Sequence, residues 1–213
     1  MSSIVIAGDT SGSVTLQAPA TAGTTVLTLP ATSGTLAIGS GALTLLSTVT
    51  ASNSATVDVE TTFDSTYKNY LLVAEGVTVD GSRDLYCRLK IAGAYVTSAS
   101  YWYHSMRNSS SDAAYNAIVS QSDTSITISQ SNSGASSSCT NFTMNISHPD
   151  NTAFQKAVYW NGTSMVASSL SRRFIGGAGS TNSGVQALTG VRFLADAGNI
   201  NAGTFRLYGL ANS

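Results

Sequence analysis

The chain has 213 residues, of which 10% are charged, against about 25% in an average soluble protein. Its 34 Ser and 26 Thr take over much of the polar surface. Ten basic residues against eleven acidic ones leave a net charge of -1, so there is no basic stripe to displace counterions from a phosphate backbone, and nucleic acid is excluded as a direct partner.

Length predicts one domain of ordinary size with a small appendage, enough chain to bury a core. No apolar run approaches the ~18 residues of a membrane-spanning helix, so no membrane partner of that kind is expected. Met1 to Asp9 has neither the basic nor the long apolar region of a secretory signal, which predicts a protein made and kept in the cytosol. Cys87 and Cys139 lack metal-ligand spacing and are expected to be reduced. The sequons at Asn108, Asn141, Asn145 and Asn161 are chance products of so much Ser and Thr.

Residues 1–41 stand apart from the rest. They hold two of the three prolines, one charged residue (Asp9) and no aromatic. The run Gly12 to Ala20 is echoed at Thr25 to Ala31, and a third copy begins at Ser33. Each unit is a short β-branched stretch closed by Gly or Pro. Such a segment has no second layer of its own, so it predicts an extended N-terminal arm that buries its apolar side on a neighbouring subunit or partner.

From residue 42 to 213 the pattern is period two, the mark of half-buried strands. Strands are expected at Thr44 to Ala51, Ala55 to Glu60, Tyr70 to Val77 and Asp84 to Ile91. In the last of these Leu85, Cys87, Leu89 and Ile91 alternate with Tyr86, Arg88 and Lys90. Further strands are expected at Tyr115 to Val119, Ser125 to Ser129, Phe142 to Ile146, Ala157 to Trp160, Ser164 to Ala167, Val185 to Leu194 and Thr204 to Gly209. Asp80 to Asp84 reads as a hairpin turn. Ser129 to Ser138 and the glycine-rich Gly176 to Gly184 read as flexible loops. The fold class is therefore all-β, an antiparallel, jelly-roll-like β-sandwich preceded by an arm.

Chemistry is sparse. There is no Gly-x-Ser-x-Gly elbow, and His104 and His148 have no orienting partners in sequence. Asp58 with Glu60, and Asp80 with Asp84, are the carboxylate pairs a glycosidase would need, but a strand face and a turn explain them more simply. Gly176-Gly177-Ala178-Gly179 lacks the Lys-Ser/Thr of a phosphate loop. No cofactor or metal is expected, and the chain is expected not to be an enzyme. The one concentration that fits recognition is Tyr101, Trp102 and Tyr103, near Tyr95 and Tyr115, since aromatic faces stack on sugars and dominate interfaces. The plainer reading of the same residues is a strand with Trp102 in the core and both tyrosines outward.

Two stretches carry a resemblance. Gly12-Ser13-Val14-Thr15-Leu16-Gln17-Ala18-Pro19-Ala20 through Thr28-Leu29-Pro30-Ala31-Thr32-Ser33-Gly34-Thr35-Leu36-Ala37 resembles the N-terminal segments of tailed-bacteriophage virion proteins, including tail fibres and capsid decoration (cement) proteins. Gly203-Thr204-Phe205-Arg206-Leu207-Tyr208-Gly209-Leu210 is similar to the last strand of the β-sandwich head domains in such proteins. The resemblance implies a structural homotrimer without catalytic residues. It is expected to assemble into the virion in the host cytoplasm, with the major capsid protein or another virion protein as partner. A short chain without shaft repeats fits a decoration protein. The alternative is a tail-fibre or receptor-binding protein that reads a host glycan through Tyr101, Trp102 and Tyr103.

Overall fold

A computed structural model describes residues 3–7, 9–17, 20–21, 23–24, 26, 43–60, 63, 66–110, 115–132, 138–166 and 171–211. The chain divides into two compact units, Met1–Gly39 and Ser40–Ser213.

In the first unit β1 (Ser3–Ala7) pairs antiparallel with β2 (Ser13–Gln17), Val5 opposite Thr15, and Gly12 takes φ +81° before β2. The first copy of the repeat is thus one arm of a hairpin, where a single extended run was expected. Most of the later copies, including 27–38, lies outside the described residues. Ile4, Val5 and Ile6 are 65%, 61% and 56% exposed. Because neighbouring residues alternate sides, both faces of the hairpin show aliphatic side chains.

The second unit is a β-sandwich. Its strands are β3 (Leu43–Ser54), β4 (Val57–Glu60), β5 (Asn69–Val79), β6 (Arg83–Ile91), β7 (Ala94–Tyr95), β8 (Tyr101–Ser109), β9 (Asn116–Asp123), β10 (Ile126–Asn132), β11 (Thr140–Ser147), β12 (Ala157–Val166), β13 (Ser171–Thr181), β14 (Leu188–Ala195) and β15 (Ile200–Leu210). Eight form one sheet in the order β3-β15-β5-β11-β12-β13-β8-β9. The opposing sheet runs β10-β6-β14-β4, with β7 added to β6. Among the described residues every pairing is antiparallel and there is no helix.

The alternation seen in sequence builds the core. Leu85, Cys87, Leu89 and Ile91 are buried on β6, as are Phe142, Met144 and Ile146 on β11 and Phe205 and Leu207 on β15. Phe193 of β14 joins the sheets, its ring 4.9 Å from Phe205 and 5.6 Å from Phe142. Cys87 and Cys139 are free thiols, and complete burial pushes the Cys87 thiol well above its ordinary range.

Two expectations change for physical reasons. Gly176 to Gly184 is mostly strand, since β13 runs to Thr181. Its glycines are there for space: a Cβ on Gly177 would lie 2.6 Å from the Trp160 ring and 2.3 Å from the His104 carbonyl oxygen, and one on Gly179 would lie 2.9 Å from Ile126. Likewise Asp80 to Asp84 is a corner between sheets, because β5 and β6 belong to different ones. The corner is strapped to the parallel crossing from β14 to β15. Asn199 N donates to Asp80 Oδ2 at 2.9 Å, Asp80 N to the Asn199 carbonyl at 3.0 Å, and Asp196 N to the Asp84 carbonyl at 3.1 Å. The separate strands expected at 157–160 and 164–167 are one, β12. Of the loop expected at 129–138, residues 129–132 belong to β10 and 133–137 lie outside the described residues.

Gly177→Ala must displace both the indole and a backbone carbonyl, so it is expected to cost roughly 3 kcal/mol in urea unfolding. Ala178→Ser, on the exposed side of the same strand, is expected to stay within about 0.5 kcal/mol of wild type.

Candidate functional site

Strand β8 reverses the expected phase of the aromatic cluster. Tyr101 and Tyr103 are 0% and 6% exposed, whereas Trp102 is 49% exposed. Tyrosine tolerates the interior here because each hydroxyl finds partners across the sandwich. Tyr101 Oη accepts from Leu89 N at 2.8 Å and donates to the Val96 carbonyl at 3.2 Å. Tyr103 Oη bonds Thr127 Oγ1 at 2.9 Å and donates to Asp123 Oδ2 at 3.0 Å. Burial pushes the Tyr103 phenol up to about 12 and raises that of Tyr101 as well. The three-residue recognition surface is therefore corrected to Trp102 alone. Tyr101 and Tyr103 are core residues that tie β8 to the opposing sheet.

Trp102 faces outward beside Ser180 of β13 and Ala157 of β12, and the other exposed rings of this face stand on neighbouring strands, farther along the register. The register sets out three outward rows. His104, Ala178, Tyr159, Asn145 and Leu71 lie side by side across five strands, next to Val119 on β9. One step along, Met106, Gly176, Asn161, Thr143 and Val73 form a second row. Phe174, Thr163 and Asn141 begin a third. Tyr159 is 52% and Phe174 48% exposed, and the Phe174 ring leans towards Gly176, where a Cβ would lie 3.2 Å from it. Exposed large apolar side chains gathered on one face are informative in a way that scattered ones are not.

Beside Phe174 the surface dips. A groove of about 450 Å3 is lined by Asn141, Thr163, Met165, Arg172 and Phe174 among others. A second, of about 250 Å3, continues from Asn141 and Thr163 past Thr143 and Asn161 to Val73 and Glu75. The floor of the shared trough is amide and hydroxyl. Asn141 Oδ1 accepts from Gly76 N at 2.7 Å, and Thr143 Oγ1 donates to Asn161 Oδ1 at 3.3 Å, so their orientation is set by the protein itself. Glu75 at the rim is paired with Arg206. Tyr159 and Phe174 were invisible as site residues in sequence, because only the pairing of β12 with β13 brings them beside β8.

The carboxylates do other work. On the outer face of the smaller sheet Arg192 donates two bonds to Asp58, Nε at 2.7 Å and Nη2 at 2.6 Å, and its guanidinium lies 3.9 Å above the Tyr95 ring. Glu60 Oε1 accepts from Lys90 Nζ at 2.9 Å and from Tyr95 Oη at 2.7 Å. These two bonds, Lys90 first, hold the Glu60 carboxyl below the ordinary glutamate range, so it is ionised at neutral pH and unsuited to donate a proton. Asp80 and Asp84 are spent on the sheet corner. His104 stands outward in the first row, and His148 takes φ +46° in the turn after β11. Among the described residues no three His, Cys, Asp or Glu are grouped to hold a metal ion.

Because the Glu60 carboxyl is lowered on folding, its contribution is complete above the ordinary glutamate value of 4.5 and is lost as pH falls through its folded value. The Glu60 side chain is 44% exposed, so water screens the pair and the effect is under about 1 kcal/mol. Melting curves from about pH 6 down to pH 3 are expected to separate wild type from Glu60→Gln at neutral pH and to converge in acid.

No protein-family model, curated protein or solved structure matches the chain.

Proposed function

We propose that this chain is a non-enzymatic structural protein of a phage virion, a trimeric capsid decoration protein whose N-terminal segment, residues 1–41, docks on neighbouring capsid subunits. The observation that carries the reading is the β1–β2 hairpin, with Ile4, Val5 and Ile6 all more than half exposed. A two-stranded sheet with aliphatic residues on both faces is marginal in water alone and gains stability by being covered. The only charge in that segment is Asp9, so a covering partner need not desolvate an ion. The sandwich supplies rigidity: its interior is closed by aromatic side chains whose polar atoms are satisfied, and Asp58 and Glu60, the strand-borne pair a hydrolase would need, are held in ion pairs.

The test uses purified particles that lack the protein. Full-length chain is expected to bind them, while Ile4→Asp combined with Ile6→Asp, and a chain of residues 42–213 alone, remain folded and fail to bind. Unchanged binding by either variant in sedimentation with the particles would remove the docking role from the segment.

A further inference from the structure

We propose that the outward face of the eight-stranded sheet binds a neutral polysaccharide, which lies in the trough at Asn141 and Thr163 and stacks on Trp102, Tyr159 and Phe174. The proposal is independent of the docking role of residues 1–41.

A sugar ring has two apolar C–H faces and a rim of hydroxyls that donate and accept. It is matched by aromatic faces set among amides and hydroxyls, which do the same. This face has that composition. Three rings, each about half exposed, share this face with a floor of Asn141, Asn161, Thr143 and Thr163: Phe174 lines the trough, Tyr159 stands one step along β12 from Asn161, and Trp102 lies farther along, opposite Ser180. Thr143 and Asn161 are bonded to each other and Asn141 to the Gly76 amide. Their polar atoms are therefore positioned before a ligand arrives, which lowers the ordering cost of binding.

Charge selects the class of polymer. Asn141, Thr143, Asn161 and Thr163 on the trough floor are uncharged, Glu75 at its rim is neutralised by Arg206, Arg173 is bonded to the carbonyls of Gln130 and Ser131, and Arg172 stands at the far end. A polyanion would need an array of cations that this face does not have. A protein partner would favour a continuous apolar centre depleted in polar groups, whereas here amides interrupt the rings. Size follows from the register. Trp102 on β8 and Tyr159 on β12 are two strands apart, about 10 Å between strand axes. A polymer can touch both, and a single sugar cannot.

The chain has two tryptophans, and Trp160 is 2% exposed, so emission that acrylamide quenches belongs to Trp102. Full-length protein is run in native gels containing dextran, mannan or galactan, with alginate as the anionic control, and acrylamide quenching is measured with and without each polymer. At least one neutral polymer is expected to slow migration and shield Trp102. Trp102→Ala and Tyr159→Ala should each weaken the retardation about tenfold, the loss of one stacking contact, with Trp160 emission unchanged as the sign of an intact fold. Migration unaltered by all three neutral polymers, retardation by alginate alone, or full binding by Trp102→Ala would each overturn the proposal. So would self-association of the wild type without polymer that Trp102→Ala abolishes, since the face would then be a contact between copies. Neither variant touches Ile4 or Ile6, so particle docking and polysaccharide binding can fail separately.

Discussion

The packing of the Trp160 indole between the two sheets is the contact on which the rest of the sandwich depends. It is fully enclosed, and its Nε1 donates to the Ile128 carbonyl of the opposing sheet at 3.0 Å, so the largest side chain of the core has no unpaired polar atom. The ring needs the space above Gly177, and Gly177 in turn lets β13 approach β8 closely. A glycine in a strand normally weakens it through lost packing and higher chain entropy. Here the neighbouring indole replaces the missing side chain. Because β13 is thereby fixed between β12 and β8, Tyr159, Phe174 and Trp102 come to share one surface.

The two outer faces of the sandwich divide the polar chemistry between them. On the smaller sheet Asp58, Glu60, Lys90 and Arg192 are closed into a network with Tyr95, and Arg88 donates to the Thr124 carbonyl at 3.1 Å. Arg192 and Arg88 are direct cross-strand partners, a repulsive arrangement in isolation. The bidentate bond to Asp58 and the face of Tyr95 offset it. The larger sheet carries aromatic rings, amides and hydroxyls over its trough instead. One ion pair, Arg206 with Glu75, joins β15 to β5 at the rim of that face, and its floor of amides and hydroxyls suits uncharged ligands.

The N-terminal unit and the sandwich solve the burial problem differently. The sandwich has two layers and encloses its apolar residues. The hairpin has one layer and exposes Ile4, Val5 and Ile6. That contrast supports the assignment of docking to residues 1–41 and recognition to the sandwich face.

The sequence alone determined the all-β class and most of the strands. Period-two alternation is a local property, and Leu85, Cys87, Leu89 and Ile91 are inward as the pattern required. It also determined the turn chemistry at Asp80 to Asp84, though not that the turn joins two sheets. Tertiary structure decided what local pattern leaves open. An aromatic run such as Tyr101-Trp102-Tyr103 alternates equally well in either phase, and the phase was settled by hydroxyl partners outside the strand, on Leu89, Val96, Thr127 and Asp123, which only the folded sandwich brings into reach. Glycine runs look like loops until the ring that occupies their missing Cβ positions is known, as Trp160 does at Gly177. The candidate site is the strongest case: of its three rings the sequence singled out only Trp102, because Tyr159 and Phe174 become its neighbours through a strand order that no local signal encodes.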